Sequence, residues 1–205
     1  MDILLSSLGL VLLSPVLLAV TVIIRIVSPG PAFLKQERIG LYKKPFRLWK
    51  FRTMRVGADS AAHQNHLRDL IASNTPMVKL DAASDPRVFP FGKLLRRTCL
   101  DELPQLINVF RGEMSLVGPR PCMPYEVQHY QEWQKKRFQA MPGMTGLWQV
   151  SGKNKTTFTE MVRLDIAYLE SVSFPLDLKI ICRTIPAIAS DPLWAAAVRR
   201  KANAQ

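Results

Sequence analysis

Two adjacent acidic residues, preceded by basic ones, are the residues in this chain best suited to phosphoryl chemistry. Asp101 and Glu102 follow Lys93, Arg96 and Arg97 within eight residues. A carboxylate can attack phosphorus to form an acyl-phosphate, but it needs nearby positive charge to overcome the charge of the phosphate. Glu102 would repel the same phosphate unless it held Mg²⁺, which prefers one or two carboxylates plus phosphate oxygens. First-turn acids are also ordinary helix caps, so the pair alone leaves both interpretations open.

Arg120 is the second candidate, because it lies between two prolines. Pro119 and Pro121 restrict the backbone on either side, so the guanidinium has a stiff support from which it could clamp a phosphate or stack on a base. The Pro-Arg-Pro sequence is equally well explained as a rigid turn that has no binding role.

The elements that must position these residues indicate an α+β, mainly helical domain. Apolar residues at helical spacing predict a helix that begins at Asp101 and Glu102 and ends at Gly112, which places the acids where the helix dipole is positive. The patterns also predict short strands over residues 46–54, 114–117 and 146–150, a loop over 72–86, and helices over 59–70, 162–169 and 178–188.

The amino-terminal segment is apolar enough for a membrane. Residues 3–24 contain no charged side chain, and a helix of that length covers about 30 Å, one hydrocarbon core. Ser14 and Pro15 interrupt the run near its middle, where proline removes a helical hydrogen bond and kinks or breaks the helix. From these residues a simple span and a re-entrant hairpin stay equally open.

The distribution of charge favours an anionic membrane surface as a partner. The chain has a formal net charge of +12, and such a field attracts anionic partners. Basic residues dominate the flank of the apolar segment, which predicts that this flank lies on the cytoplasmic side against anionic lipids. Nucleic-acid binding is not expected, because no recognised binding module is present. The three cysteines have neither disulfide nor zinc-site spacing.

The motif around the acidic pair resembles the signature of the bacterial sugar transferase family, the monotopic phosphoglycosyl transferases. That motif is Arg-Thr-Cys-Leu-Asp-Glu-Leu-Pro-Gln-Leu-Ile-Asn-Val-Phe-Arg-Gly-Glu-Met-Ser-Leu-Val-Gly-Pro-Arg-Pro, residues 97–121. Further blocks that resemble the family occur in the family's order at residues 14–15, 30–40, 50–54, 85–87, 142–152 and 176–180. The resemblance covers nearly the whole chain.

The resemblance implies a fold with a membrane anchor and a catalytic domain. It predicts a re-entrant membrane helix over residues 1–27, broken at Ser14 and Pro15, and a cytoplasmic catalytic domain over 28–205 that rests on amphipathic interfacial helices. The implied location is the bacterial inner membrane, with the catalytic domain on its cytoplasmic face.

The resemblance also implies a reaction. Asp101 would attack the β-phosphate of a UDP-sugar, release UMP and become a phosphosugar ester, which undecaprenyl phosphate or another polyprenyl phosphate would resolve. Glu102 corresponds to the family's magnesium-coordinating acid, and the implied substrate-binding residues are Lys50, Arg96, Pro119, Arg120 and Pro121. Two alternatives are a membrane-bound glycosyltransferase that releases UDP and an inactive scaffold of a glycan assembly complex. The sugar, the polysaccharide or glycoconjugate pathway and the oligomeric state, including a homodimer, stay open.

Overall fold

A computed structural model describes residues 1–58, 61–78 and 85–189. The chain forms mixed helix and sheet, mainly helix, as the sequence predicts. In order, the helices and strands are α1 (Asp2–Val27), β1 (Phe33–Ile39), β2 (Pro45–Phe51), α2 (Ala61–Ser73), α3 (Pro90–Thr98), α4 (Leu106–Phe110), β3 (Ser115–Val117), β4 (Gly143–Thr145), α5 (Leu147–Val150), α6 (Phe158–Ser171) and α7 (Phe174–Ala189). Short 3₁₀ helices connect several of them, at Leu41–Lys43, Leu100–Gln105, Pro124–His129, Glu132–Gln139 and Lys153–Lys155.

The sheet content consists of two small ladders. β1 and β2 form an antiparallel hairpin in which Phe33 pairs with Phe51 and Ile39 with Pro45. β3 and β4 pair in parallel, with Ser115 opposite Gly143. Helices α6 and α7 pack beside these ladders, and the largest buried cluster gathers side chains from α2, α5, α6 and the intervening segments: Leu67, Met77, Cys122, Tyr130, Phe138, Trp148, Phe158, Met161 and Val162.

The apolar segment forms one continuous helix, α1, which is long and apolar enough to cross a membrane. Pro15 has no N–H to give to the carbonyl of Val11, four residues earlier, and the hydroxyl of Ser14 donates to that carbonyl instead at 2.7 Å. The Ser-Pro pair therefore leaves the helix hydrogen-bonded where proline would otherwise strand an acceptor in lipid. A re-entrant course stays a prediction.

Helix α1 lies against the rest of the chain along much of its length. Val20 and Ile24 are buried in a cluster with Phe51 and Leu95, and Gly9 faces Leu106 of α4. Near its beginning, Ser6 is fully buried. The anchor therefore does not project away from the domain, and the division into 1–27 and 28–205 stays a prediction.

A buried arginine fixes the turn that follows α1. The guanidinium of Arg52, just beyond β2, donates to the carbonyl oxygens of Pro31 at 2.6 Å and Ser28 at 2.5 Å and to the Ser28 hydroxyl at 2.7 Å. These three bonds attach the end of the membrane helix to the end of β2.

The structure corrects two sequence-based predictions. Residues 146–150, predicted as a strand, contain helix α5, and the strand β4 ends before them at Thr145. Short apolar runs do not distinguish helix from strand, and here Leu147 and Val150, three residues apart, share one cluster while Trp148 joins another. The helix predicted over 101–112 is a 3₁₀ segment followed by the short α4.

Other predicted elements are confirmed, and three were missed. The strand β2, the strand β3 and helices α2, α6 and α7 overlap their predicted ranges. Strands β1 and β4 and helix α3 were not predicted. Residues 79–84 of the predicted loop lie outside the described residues, as do 190–205.

We expect Arg137→Met to destabilise the fold by about 3–5 kcal/mol, because it would leave Asp165 as an uncompensated buried charge. The Arg137 guanidinium and the Asp165 carboxylate are 2.5 Å apart and each is 1% exposed. Urea denaturation in detergent measures the change. Lys136→Met is the matched control, since the neighbouring Lys136–Glu170 pair is exposed; equal effects of the two substitutions would contradict the prediction.

Candidate active site

The acidic pair lies at the start of a helical segment, as predicted. Cys99 adopts a left-handed conformation, with φ 56° and ψ 16°, which ends α3 and reverses the chain into the 3₁₀ helix Leu100–Gln105. Asp101 and Glu102 occupy the first turn of that helix. Pro104 lies within this segment and has no backbone N–H to donate. Both acidic residues are partly exposed.

Lys50 on β2 holds Glu102 in place. Its ammonium nitrogen is 2.8 Å from Glu102 Oε1, and β2 packs directly against the 3₁₀ helix. The glutamate side chain is 42% exposed, so the pair adds little stability. Its effect is to fix one carboxylate oxygen of Glu102 and leave the carboxylate open to solvent on another side.

Arg96 reaches the same end of the hairpin from α3. Its Nε donates to the hydroxyl of Thr53 at 2.8 Å. This contact depends on Gly92, one helical turn earlier, where a Cβ would lie 2.2 Å from the carbonyl oxygen of Thr53. The absence of a side chain at Gly92 therefore allows α3 to lie close against the backbone at Thr53.

The Asp85-Pro86-Arg87 block approaches the same arginine. Hydrogen bonds from the Arg87 side chain lower the pKa of Asp85 to about 2, with a smaller contribution from the charge of Arg96. Asp85 is therefore ionised at neutral pH and adds a negative charge behind Arg96, which can hold the arginine side chain in this region.

Arg120 belongs to a second cluster. Its guanidinium is 3.1 Å from the carboxylate of Glu126, which is fully buried. Burial opposes ionisation of Glu126, but the charge and hydrogen bonds of Arg120 outweigh it and keep the pKa of the carboxyl below its ordinary value. The Arg120 side chain is therefore held by a permanent counter-ion while 21% of its surface stays exposed.

The backbone of the Pro-Arg-Pro segment is fixed from three directions. The carbonyl of Pro119 accepts from the Gly143 N–H at 2.9 Å. The carbonyl of Arg120 accepts from Arg137 at 2.8 Å, and that of Pro121 accepts from Arg38 at 2.9 Å. All three carbonyl groups of the segment therefore have partners, and the stiff support attributed to the two prolines stays a prediction.

The structure places the two clusters at different positions along the hairpin. Lys50 pairs with Leu34 of β1, whereas Arg38, which contacts Pro121, lies four residues further along β1. At about 3.3 Å per residue this is a separation of about 13 Å along the strand. Lys50, Glu102 and Arg96 therefore lie near one end of the hairpin, and Arg120 with its prolines lies nearer the other.

The acidic pair is adjacent to the membrane helix. Leu100, the residue before Asp101, packs against the buried cluster that contains Val20 and Ile24 of α1. The segment that carries the carboxylates is therefore attached to α1. The predicted helix-break residues Ser14 and Pro15 lie earlier in α1 and are exposed.

The donor set is compatible with a magnesium ion that is shared with a substrate. Within residues 1–58, 61–78 and 85–189, no group of three or more His, Cys, Asp and Glu side chains could form a cation site built by the protein alone. Adjacent Asp101 and Glu102 supply the one or two carboxylates that Mg²⁺ takes when phosphate oxygens complete its shell.

Sequence reasoning missed several residues that build the site. Thr53, Gly92 and Asn108 are brought to it by contacts between distant parts of the chain, and Glu126 binds Arg120 from six residues further along. Only Asn108 had a usable signal, since it is a polar residue between the apolar Ile107 and Val109 on a short helix.

Comparison with known proteins identifies the family. A sequence model of the bacterial sugar transferase family matches residues 1–191. The chain therefore belongs to the bacterial sugar transferase family, as the resemblance implies. It is 44% identical over 163 residues to the galactosyl transferase CpsE of Streptococcus agalactiae, a match that covers 78% of this chain and 35% of CpsE.

Two other relatives match over most of the chain. The exopolysaccharide production protein ExoY of Rhizobium meliloti is 37% identical over 187 residues, covering 91% of this chain and 83% of ExoY. The UDP-glucose:undecaprenyl-phosphate glucose-1-phosphate transferase of Escherichia coli K12 is 37% identical over 195 residues, covering 90% of this chain and 38% of that protein. The chain thus spans most of ExoY but only about a third of CpsE and of the Escherichia coli enzyme.

We expect Gly92→Ala to lower sugar transferase turnover by about tenfold or more. The added Cβ would meet the Thr53 carbonyl and push α3 away, and displacements of about 1 Å at a reacting centre can cost up to about a hundredfold. Turnover is measured beside thermal unfolding. Leu94→Ala, at an exposed position of the same helix, should change turnover less than twofold; a normal rate for Gly92→Ala would show that the close approach is not needed.

Proposed function

We propose that this chain transfers a sugar-1-phosphate from a UDP-sugar to undecaprenyl phosphate, or another polyprenyl phosphate, as a membrane step in polysaccharide or glycoconjugate assembly. One observation carries the proposal: a carboxylate pair, with Glu102 held by Lys50, follows a residue that packs on the membrane helix. The names of three relatives from Escherichia coli, Caulobacter vibrioides and Klebsiella pneumoniae support this substrate pair, since each is a UDP-glucose:undecaprenyl-phosphate glucose-1-phosphate transferase.

In the first step, a carboxylate oxygen of Asp101 attacks the β-phosphorus of the UDP-sugar. A bond forms between that oxygen and phosphorus, the bond from phosphorus to the bridging oxygen of the diphosphate breaks, and UMP leaves with the bond electrons. The product on the enzyme is an aspartyl phosphosugar. Positive charge from Arg96 offsets the charge that the two anions bring together.

In the second step, a phosphate oxygen of the polyprenyl phosphate attacks the phosphorus of the aspartyl phosphosugar. The acyl-phosphate bond breaks, the carboxylate of Asp101 is restored, and a polyprenyl diphosphate sugar is formed. The position of Leu100 beside the cluster of Val20 and Ile24 supports this step, because a lipid phosphate at the membrane surface would need to travel little to meet Asp101.

Glu102 would hold Mg²⁺ together with the substrate diphosphate. When bound, the ion would neutralise charge on the leaving phosphate and polarise its oxygens. Lys50 binds one oxygen of Glu102 and so orients this partly exposed carboxylate, of which 42% of the side-chain surface is exposed. In this arrangement Lys50 would affect the substrate indirectly, by orienting Glu102.

Arg120 suits the nucleotide end of the donor. Its distance along the hairpin from the acidic pair fits a substrate that lies extended between them, with UMP toward the Pro-Arg-Pro segment and the sugar phosphate toward Asp101. Pro119 and Pro121 serve to keep the Arg120 backbone rigid, and the counter-ion Glu126 orients its guanidinium.

We also propose that α1 enters and leaves the membrane on the cytoplasmic side. The helix lies against the domain in its first half, where Gly9 faces Leu106, and near its end, through Ile24. A straight helix of 26 residues covers about 39 Å, so a kink at Pro15 would be needed to bring both ends to one membrane face. The basic flank supports the cytoplasmic assignment.

Asp101→Asn should abolish turnover and covalent labelling while folding and membrane association persist. The amide is a far weaker nucleophile than the carboxylate. The measurement uses a panel of UDP-sugars with undecaprenyl phosphate and Mg²⁺, with identification of the released nucleotide and mass spectrometry of the peptide that contains residue 101. Glu132→Gln, at an exposed acid that pairs with Lys135, should behave as wild type.

Other outcomes would select the alternatives. Release of UDP in place of UMP would indicate a glycosyltransferase, and no turnover with any donor would favour an inactive scaffold. Retained turnover of Asp101→Asn would remove Asp101 from the role of nucleophile.

An epitope tag at the amino terminus tests the re-entrant course. We expect protease to remove the tag in inside-out membrane vesicles and to spare it in intact spheroplasts, because a re-entrant helix keeps both ends on the cytoplasmic side. A tag at the carboxyl terminus is the control for sidedness. Cleavage of the amino-terminal tag in spheroplasts would indicate a simple span.

A further inference from the structure

A buried asparagine joins the segment that carries the acidic pair to the edge of β2. Asn108 lies on α4 and is fully buried. Its side-chain oxygen accepts the backbone N–H of Trp49 at 2.9 Å, and its side-chain nitrogen donates to the backbone carbonyl of Arg47 at 2.8 Å. The two strand groups define the orientation of the amide, because an N–H can only donate and a carbonyl can only accept. One side chain therefore pairs with β2 as a neighbouring strand would.

A third bond holds the Asn108 amide in this orientation. Its nitrogen also donates to the carboxylate of Glu113 at 2.6 Å, and the backbone N–H of Glu113 donates back to the Asn108 carbonyl at 2.9 Å. The polar atoms of the buried amide thus all have hydrogen-bond partners. Leaving one of the β2 groups without its hydrogen bond in this buried setting would lower the stability of the fold.

The bonds of Asn108 fix the register between the acidic segment and the strand. Arg47 and Trp49 are two residues apart, and an edge presents an equivalent pair of groups only after a shift of two residues, about 7 Å. A shift of that size would take Lys50 out of reach of Glu102, which it contacts at 2.8 Å. The continuous helical segment between Glu102 and Asn108 transmits the constraint from one contact to the other.

We propose that Asn108 is a positioning residue for the reaction, which acts by locking the acidic pair in register with Lys50. The inference rests on the proposed function for its catalytic consequence. Asn108 touches no substrate itself: it sets where Glu102, and with it the magnesium site, lies relative to β2.

The test compares Asn108→Ala with Val109→Ala. Val109 is the adjacent residue, is also fully buried, and packs on Leu48 and Met114, so its truncation weakens the same region without removing the bonds to β2. For Asn108→Ala we expect kcat to fall at least tenfold and the Mg²⁺ concentration for half-maximal activity to rise at least fivefold, with little change in KM for the UDP-sugar. For Val109→Ala we expect the Mg²⁺ dependence to stay within twofold of wild type.

Restoring the polar pair provides a rescue experiment. Asn108→Asp alone would place two carboxylates together at Glu113 and should be as defective as Asn108→Ala. Adding Glu113→Gln supplies a donor to the new carboxylate, which can again accept the N–H of Trp49. The carbonyl of Arg47 still lacks the donor that Asn108 supplies, so the double variant should recover only part of kcat and of the Mg²⁺ dependence. If the substitutions only destabilised the fold, the fraction of active enzyme would fall, but the Mg²⁺ concentration for half-maximal activity would not change.

Amide hydrogen exchange measures the register independently of activity. The backbone amide of Trp49 should exchange at least tenfold faster in Asn108→Ala than in Val109→Ala. Unchanged protection, or an equal shift of the Mg²⁺ dependence in both alanine variants, would overturn the proposal. If wild type released no UMP, the proposed function would fail, whereas the exchange measurement would still decide whether Asn108 holds the strand.

Discussion

The strand β2 is the constraint on which the site depends, because its alternating side chains and its open edge attach three different parts of the chain. Phe51 enters the cluster with the membrane helix, Lys50 points the other way and holds Glu102, and the edge groups of Arg47 and Trp49 bind Asn108. In a strand, neighbouring side chains point to opposite faces. Neighbouring residues of one short strand therefore contact the cluster with α1 and bind Glu102.

In the cluster around Arg120, charged side chains are buried as ion pairs. Arg120 and Glu126, and Arg137 and Asp165, form pairs in which both acids are almost fully buried. Replacing such pairs with well-packed apolar residues often leaves a protein as stable or more so, while losing one partner is costly. Their contribution is thus best understood as specificity: Arg137 binds the carbonyl of Arg120, and Glu126 binds its guanidinium. A positively charged chain can in this way present one oriented guanidinium instead of a diffuse basic surface.

The membrane helix and the site are coupled by packing and polar contacts together. Arg52 binds the turn after α1, one residue beyond the strand that carries Lys50 and Phe51. The Ser14 hydroxyl satisfies the carbonyl that Pro15 leaves without a donor, so the proline can remain within an apolar helix. The depth of α1 in a bilayer would therefore be transmitted to the acidic pair through a few rigid contacts.

The sequence by itself determined the features that depend on neighbouring residues. The apolar segment, the basic flank, the start of a helical segment at Asp101 and Glu102 and the strand at 115–117 all follow from charge and periodicity over a few positions. Tertiary structure decided what joins them. Lys50 and Glu102 are 52 residues apart in the chain, and Arg96 reaches Thr53 across 43. The run at 147–150 became a helix because its side chains pack on two separate clusters. Local preference extends over only a few residues, so which distant side chains meet is decided by how the hairpin and helices pack.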